Sequence, residues 1–219
     1  MRSSHELIVD SVGVDLETLA QPMDLRALFA NDFPVELEIG MGKGTFLVDQ
    51  TKARPTTNFI GIEWASWFWK YASDRLRRNG CANVRTMRAE ATYFVRNYLP
   101  DASLAVVHIY FPDPWPKKRH HKRRLIQEPF VAQIARVLVP AGRLRIVTDH
   151  LDYFQQIESV LASSTLAVVD YAPSASAGEG EMVGTNFERK YRREGRPFYA
   201  IQAEKKGMNS ISAPAGSGG

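Results

Sequence analysis

The sequence predicts an α/β protein with a doubly wound, mostly parallel sheet and an antiparallel hairpin at one sheet edge. Short apolar runs alternate with amphipathic runs from about residue 33 to about residue 162, at the spacing of successive βαβ units. Two strand-like runs then follow with no long helix between them, which favours an antiparallel pair at the edge.

The individual elements follow from these runs. Strands are predicted at 35–39, 58–63, 84–87, 104–111, 143–148, 165–171 and 198–204, and helices at 45–52, 65–78, 91–98, 128–138 and 152–162. The run 104–111 is the most apolar, so we expect it to be a central strand covered on both faces. Pro140, Ala141 and Gly142 form a helix-stop signal after the fourth predicted helix.

Length and composition limit the class of protein. The 219 residues are enough for one sizeable α/β domain and few for two. A hydrophobic fraction of 44% and a charged fraction of 24% exclude a wholly disordered chain. Cys81 is the only cysteine, which excludes an internal disulfide framework and suits a reducing compartment. No run resembles a signal peptide or a membrane span, so we expect a cytoplasmic protein with no membrane partner.

Three regions are predicted along the chain. Residues 1–30 are irregular, with only a weak helical pattern, and are interpreted as an N-terminal arm or cap. Residues 31–206 contain all the predicted strands and form the main domain. Residues 207–219 are small and polar, and we expect them to be a disordered tail.

A glycine-rich turn follows the first predicted strand. Gly40, Gly42 and Gly44 come directly after Glu38, at the point where the strand turns into a helix. Glycines there let the backbone approach a ligand, and the helix N-terminus offers free N–H groups. Glu63 ends the second strand, nineteen residues after Gly44, where a carboxylate can hold a ribose diol. An ordinary tight turn is the alternative interpretation.

The spacing of this turn distinguishes between nucleotide ligands. The pattern is G-x-G-x-G and not the G-x-G-x-x-G of pyrophosphate binders. The carboxylate of Glu38 would repel a pyrophosphate and favour a cation, such as the α-amino group of methionine. S-adenosylmethionine is therefore the predicted cofactor, rather than NAD. Glu90, after the third strand, could reach the adenine amine, or it could be an ordinary acid at a helix N-terminus.

A second motif follows the predicted central strand. Two prolines flank Asp113, and Trp115 follows before a run of cations. A rigid loop with a carboxylate and an aromatic ring suits a flipped purine in RNA. The carboxylate can accept hydrogen bonds from the N1–H and N2–H₂ groups of guanine. Residues 117–124 hold six lysines and arginines and no acid, although the whole chain has a net charge of only +4. Phosphate contacts are predicted for Lys118, Arg119, Lys122, Arg123 and Arg124.

Interpretations of this motif without a ligand stay open. Trp115 could pack in the core, and the charge run could be a solvated face. His120 and His121 are interpreted as phosphate-facing, and no metal is predicted, because no second group of ligands accompanies them in the sequence.

Together these motifs resemble the bacterial tRNA (guanine-N7)-methyltransferase family, over roughly residues 33 to 204. The most specific match is the F-P-D-P-W-x-K-x-R-H-x-K-R-R pattern of residues 111–124. Supporting matches are the E-I-G-x-G turn, Glu63, the pair Thr148 and Asp149, and the Thr-Asn-Phe-Glu segment 185–188. The family usually has aspartate at the position of Glu90.

The resemblance implies a Rossmann-like methyltransferase that methylates N7 of a guanosine in the tRNA variable loop. It implies S-adenosylmethionine contacts for Glu38, Glu63, Glu90 and Asp113 beside the glycine turn. It implies tRNA or guanine contacts for Lys117, Asp149, Thr185, Asn186, Phe187 and Glu188. The partner is then tRNA, and the protein is expected to be a monomer or a weak homodimer.

Asp113 is the predicted catalytic residue. Guanine N7 carries a lone pair and no proton, so the reaction needs alignment and charge stabilisation rather than a general base. Two alternatives remain: a methyltransferase of another substrate, such as a small molecule or a protein, and a non-catalytic RNA-binding protein on the same fold. A nicotinamide oxidoreductase is disfavoured by the glycine spacing.

Overall fold

The computed structural model describes residues 6–175 and 177–207, so residues 208–219 of the predicted tail 207–219 lie outside the described residues. The strands are β1 Val35–Ile39, β2 Asn58–Glu63, β3 Val84–Arg88, β4 Leu104–Tyr110, β5 Leu138–Thr148, β6 Leu166–Val169 and β7 Tyr199–Lys205. The helices are α1 Leu25–Phe29, α2 Thr45–Ala53, α3 Ser66–Arg78, α4 Ala91–Tyr98, α5 Glu128–Val137, α6 Leu151–Ala162 and α7 Asn186–Arg193. Two 3₁₀ helices span Leu16–Thr18 and Lys118–Arg123.

The strands form one seven-stranded sheet in the order β3-β2-β1-β4-β5-β7-β6. Strands β1 to β5 pair in parallel, and β7 runs antiparallel to both β5 and β6. The predicted doubly wound sheet with an antiparallel edge pair is therefore confirmed. The strand order reverses between β1 and β4, which is the position where open α/β sheets bind their ligands.

Two apolar layers cover the sheet. Phe94, Phe130 and Tyr153 belong to the layer under α4, α5 and α6. Phe46 and Leu76 belong to the layer under α2 and α3. Because both faces are covered, β1 is buried along its whole length, as expected for a central parallel strand.

The end of α5 differs from the prediction. The helix stops at Val137, but β5 begins at the next residue and includes the helix-stop sequence 140–142. The pairing register shifts in this stretch, since Leu104 pairs with Leu138 whereas Val106 pairs with Arg143. The extra residues form an irregularity of the strand, with Ala141 in the left-handed region at φ 62°. A turn signal in the sequence does not distinguish a loop from such a bulge.

Helix α7 was not predicted. Its sequence, Asn-Phe-Glu-Arg-Lys-Tyr-Arg-Arg, has only two aromatic residues among polar ones, which is too few to predict a helix. The helix begins after Thr185, whose side chain accepts a hydrogen bond from the backbone N–H of Glu188, and this cap fixes the start. No helix in the described part of the chain is both long and apolar enough to cross a membrane.

The N-terminal arm covers the outer edge of β3. The N–H of Val14 donates to the carbonyl of Thr86 at 2.8 Å, and the N–H of Thr86 donates to Val12 at 2.8 Å. Val12 and Met23 are buried, with 2% of each residue exposed. The arm thereby removes the free edge that β3 would otherwise present.

A buried polar cluster lies beneath β1 and β4. Arg54 donates two hydrogen bonds to Glu36, at 2.6 and 2.7 Å, and His108 lies 2.8 Å from the same carboxylate. Burial alone would raise the pKa of Glu36, but His108 and Arg54 outweigh it and lower that pKa to about 2. The other ring nitrogen of His108 lies 2.7 Å from the Tyr110 hydroxyl, which fixes the last side chain of β4.

Gly61 in β2 tests the packing beneath the sheet. A Cβ atom at Gly61 would lie 2.5 Å from Leu47 Cδ1 and 2.6 Å from Met41 Sδ. We expect Gly61→Ala to lower the free energy of unfolding by about 1–3 kcal/mol through overpacking, measured by urea denaturation. Gly207→Ala is the control, because nothing lies within 4 Å of its Cβ position. Equal stability of the two variants would contradict this account.

Candidate active site

A cavity of about 860 Å³ opens at the carboxyl ends of β1, β2 and β4, and is called the strand-tip cavity below. Register explains the location, because Ile39 of β1 pairs with Ile62 of β2 and with Ile109 of β4. The residues that follow these three strands therefore meet at one edge of the sheet. The cavity brings together the predicted site residues Glu38, Gly40, Gly42, Glu63, Glu90 and Asp113.

The glycine turn forms the floor of the cavity. Gly40 and Gly42 have φ values of 77° and 53°, which side chains with a Cβ rarely adopt. The N–H of Gly40 donates to the carbonyl of Ile62 at 2.9 Å, which holds the turn against β2. Gly44 does not line the cavity but precedes α2, in close packing with Ala72.

Glu38 is a buried acid at the site. The residue is only 4% exposed, and its Oε2 has no hydrogen-bond partner among the described residues. Burial, together with the nearby charge of Glu63, raises the pKa of Glu38 to about 8. A buried carboxyl that lines a cavity and has one oxygen without a protein partner is a site for a cation, because a positive ligand restores the lost solvation.

Glu63 holds the turn from the neighbouring strand. Its Oε2 accepts the N–H of Gly42 at 3.1 Å, and its Oε1 accepts the N–H of Ala65 at 2.9 Å. A carboxylate offers about four lone-pair directions, so these two bonds leave capacity for hydroxyl donors of a ligand.

Glu90 is the N-cap of α4. Its two oxygens accept the N–H groups of Thr92 at 2.9 Å and Tyr93 at 2.7 Å. The sequence left two interpretations of Glu90 open. The hydrogen bonds show that it is an acid at a helix N-terminus. Glu90 also lines the strand-tip cavity, so both roles are compatible.

The loop after β4 projects over the cavity. Phe111 and Trp115 have φ values of 51° and 43°, an uncommon backbone conformation that costs about 1–3 kcal/mol per residue. Asp113 lies between them and is exposed at the cavity, with no hydrogen-bond partner among the described residues. Trp115 lines the cavity and lies 5.0 Å from the Arg123 guanidinium, so the alternative of core packing is wrong.

Arg124 corrects a prediction. It is 3% exposed, so it is closed to a phosphate. Its guanidinium donates to the Pro114 carbonyl at 2.8 Å and to Gln156 at 2.7 Å. It also pairs with Asp152 and lies 4.9 Å from the centre of the Tyr153 ring. Arg124 therefore ties the Asp113 loop to α6, and the predicted phosphate contact does not fit it.

The other cations of the motif are accessible to a phosphate. Lys117, Lys118, Arg119, Lys122 and Arg123 are all exposed, on or beside the 3₁₀ helix Lys118–Arg123. Arg123 alone of these five also lines the strand-tip cavity. The exposed cations therefore lead from the solvent to the cavity, alongside the Asp113 loop.

The segment 185–188 divides into two parts. Thr185 lines the cavity, but Glu188 is fully buried and accepts the N–H groups of Val183 at 2.9 Å and Gly184 at 2.8 Å. The predicted substrate contact of Glu188 is therefore wrong for this conformation, because its carboxylate holds the preceding loop. The Asn186 and Phe187 side chains lie outside the described part of the chain. Lys190, one of a run of basic residues at 189–193, also lines the cavity.

Asp149 follows β5 and does not line the strand-tip cavity. Its carboxylate lies 3.3 Å from Arg196, whose guanidinium lies 4.5 Å from the centre of the Tyr191 ring. Nothing in the sequence indicates this pair, because 47 residues separate its members.

The hydrogen-bond acceptors of the cavity fit S-adenosylmethionine. The free oxygen of Glu38 suits an ammonium group, and Glu63 has lone pairs left for a ribose diol. A family model described as putative methyltransferase matches residues 32–201. Among solved structures, a 16S rRNA methyltransferase, KamB, matches with a TM-score of 0.61 at 14% identity, covering 83% of this chain and 92% of that chain. A SAM-dependent methyltransferase from Aquifex aeolicus gives 0.55 at 15% identity, covering 78% and 82%.

Fold and site together define an S-adenosylmethionine-dependent methyltransferase. A tRNA (guanine-N(7)-)-methyltransferase of Alkalilimnicola ehrlichii is 35% identical to this chain, over 92% of this chain and 85% of the relative. The protein of that name in Neisseria meningitidis serogroup B is 37% identical, over 90% and 82%. The chain belongs to the tRNA (guanine-N7)-methyltransferase family.

The raised pKa of Glu38 makes donor binding depend on pH. With a pKa of about 8, Glu38 must lose its proton before it can pair with the donor ammonium. Affinity for S-adenosylmethionine should therefore rise by up to about tenfold per pH unit between pH 6 and 7.5, where an α-amino group stays charged. We expect Glu38→Gln to bind about 10- to 100-fold more weakly at pH 7.5 and to lose this slope, as measured by calorimetry.

Loss of folding does not explain that result. Glu38 has a pKa of about 8 when folded and an ordinary value of 4.5 when unfolded. Its contribution to stability therefore falls as the pH rises from 4.5 to 8, and Glu38→Gln should be at least as stable as the parent at pH 7.5. An unchanged pH slope in the variant would exclude Glu38 as the ammonium partner.

Arg123 and Arg124 should behave differently although they are adjacent. Arg124→Ala is expected to lower the free energy of unfolding by about 2–3 kcal/mol, because buried charge-assisted hydrogen bonds are lost. Arg123→Ala should change it by less than about 1 kcal/mol, since its side chain is exposed. Urea unfolding of both variants measures this difference, and similar losses would contradict the assigned roles.

Proposed function

We propose that this protein transfers a methyl group from S-adenosylmethionine to N7 of a guanosine in the variable loop of tRNA. One observation carries the proposal: the acid-lined glycine turn and the Asp113 loop share a single cavity, from which exposed cations lead outward. The substrate named in the relatives supports the same assignment.

The acids of the strand tips would hold the donor. Glu38 would accept its ammonium group, Glu63 its ribose hydroxyls, and Glu90 would lie on the adenine side. The turn at Gly40 and Gly42, which carries no side chains, would let the donor approach the backbone closely. When bound, S-adenosylmethionine supplies a methyl group on a positively charged sulfur, which leaves as a neutral thioether once the methyl is transferred.

The Asp113 loop would orient the guanine. The N7 atom carries a lone pair and no proton, so no residue of this chain needs to remove a proton there. Asp113 would accept from the N1–H and N2–H₂ edge of the base and oppose the positive charge that the ring gains. Arg124 would act indirectly, by holding the carbonyl of Pro114 and hence the loop.

The exposed cations would bind the RNA backbone. Lys118, Arg119, Lys122 and Arg123 would contact phosphates, which fix the RNA without reading its sequence. Lys117, Asp149, Thr185, Asn186 and Phe187 stay proposed substrate contacts; Asp149 would first have to release Arg196. Residues 31–206 would form the catalytic domain with 1–30 as its arm, acting in the cytoplasm as a monomer or weak homodimer.

Transfer of a labelled methyl group tests the function directly. The purified protein is incubated with labelled S-adenosylmethionine and a tRNA transcript that lacks modifications, and the label is located by nuclease digestion. We expect 7-methylguanosine in the variable loop. Ribosomal RNA and a transcript with the variable-loop guanosine replaced by adenosine serve as controls. Label on ribosomal RNA alone, or none on the tRNA, would reject the proposal.

Asp113 is expected to affect turnover more than binding. Asp113→Ala and Asp113→Asn should lower kcat by about 100-fold, because the charge that stabilises the methylated ring is lost. Dissociation constants for S-adenosylmethionine and tRNA, measured separately, should change less than kcat does. Asp32→Asn is the matched control, since this exposed acid precedes β1 at the opposite end of the strands. Near-normal kcat in both Asp113 variants would remove this residue from catalysis.

A further inference from the structure

Helix α3 and Trp64, two residues before it, present exposed aromatic side chains. Trp64, Trp67 and Phe68 are 64%, 56% and 39% exposed, and Tyr71 is half-buried. Trp67 and Phe68 lie four and three residues before Tyr71, so these three side chains share one side of α3. These four residues are called the aromatic stripe.

The core does not require the aromatic stripe. The opposite side of α3 already supplies Ala72 and Leu76 to the apolar layer, both fully buried, with Trp69 packed beside them. Single exposed apolar residues are common on proteins, but adjoining tryptophan and phenylalanine rings on one helix indicate a binding surface.

The rings form a continuous surface. Trp67 stacks on Tyr71, with ring centres 5.2 Å apart and planes 19° apart. Trp67 also meets Phe68 edge to face at 5.1 Å. The guanidinium of Arg88 lies 5.6 Å from the centre of the Trp64 ring and extends the surface towards β3.

The exposed charges of α3 beside the aromatic stripe are positive, whereas at its cavity end the acids Glu63 and Glu90 lie together with cations. Lys70 is exposed within α3, and Lys43 and Arg88 lie at the cavity end. The only acid of α3, Asp74, is fully buried and paired with Arg77 and Arg78. Flat rings among cations favour a polyanion with planar groups, which describes unpaired nucleotides.

The aromatic stripe is continuous with the strand-tip cavity. Trp64 and Phe68 line the cavity from the side of β2, whereas Trp115 and Arg123 line it from the side of β4. Strand β1 lies between β2 and β4, which separates the two sides by roughly 10 Å. An RNA strand whose guanosine enters the cavity can thus reach both sides with the nucleotides on either flank.

We propose that the aromatic stripe stacks unpaired nucleotides that flank the target guanosine. This proposal rests on the proposed tRNA methylation and assigns a second contact region to the same substrate. The phosphate-binding cations would give affinity that depends on salt, whereas the stacked rings would give affinity that depends little on salt.

Trp67 and Tyr71 are the residues to change, because neither lines the strand-tip cavity. We expect Trp67→Ala to raise KM for tRNA about 5- to 100-fold, and Trp67→Ala with Tyr71→Ala to raise it further. Trp67→Phe should retain most of the affinity, since it keeps a ring. Phe33→Ala is the matched control, because Phe33 is also an exposed aromatic residue (42% exposed) but precedes β1, at the far end of the strands.

Two further measurements separate stacking from a merely structural role. The dissociation constant for S-adenosylmethionine and the unfolding midpoint should stay at parent values in Trp67→Ala. The slope of log KM against log salt concentration should also stay unchanged, whereas Lys118→Ala should reduce it. A parallel change of all these quantities would indicate a folding defect and overturn the proposal.

The outcomes also distinguish this proposal from the function on which it rests. An active parent protein with an unchanged KM in Trp67→Ala and the double variant rejects the stacking role and leaves tRNA methylation intact. The parent protein could also prove to be a dimer that becomes monomeric in Trp67→Ala while KM stays unchanged. That result would assign the aromatic stripe to contact with a second copy of the chain and would also reject the stacking role. A parent that methylates no tRNA rejects both proposals.

Discussion

The site depends on one electrostatic constraint, the burial of the Glu38 carboxyl at the tip of β1. Strand β1 is central and fully buried, so its last acid cannot reach water as a surface acid does. The negative charge of Glu63 lies nearby on β2. Burial and this charge both raise the energy of the ionised form of Glu38. Such an acid is stable as an anion only with a cation beside it, and this requirement selects the ligand of the whole cavity.

Rigidity around this acid comes from residues that touch no substrate. Arg124 fixes the Asp113 loop to α6, and Glu188 fixes the loop before α7 through backbone N–H groups. The strained backbone at Phe111 and Trp115 can persist because such fixed neighbours determine it. Charged residues of one motif can therefore either hold a loop or face a substrate, and their burial shows which of the two they do.

Much of the fold follows from local pattern. The strands and helices from β1 to α6 were predicted to within one or two residues at most ends, because the spacing of apolar residues is a local property of the chain. The short helix α1, the bulge of β5 and the helix α7 were not predicted. A bulge depends on the pairing of β5 with β4, and α7 has too few apolar residues for a helical period to show.

The sequence by itself determined the order of the elements, the glycine turn, and the acids and cations that follow the strands, because residue type and spacing are local. Only the tertiary structure decided which charges are solvated. It buried Arg124 beside an exposed Arg123, paired Asp149 with Arg196, and left the aromatic stripe uncovered. The cost of a charge or the exposure of a ring depends on what distant segments place around it, and spacing along the chain carries no record of that.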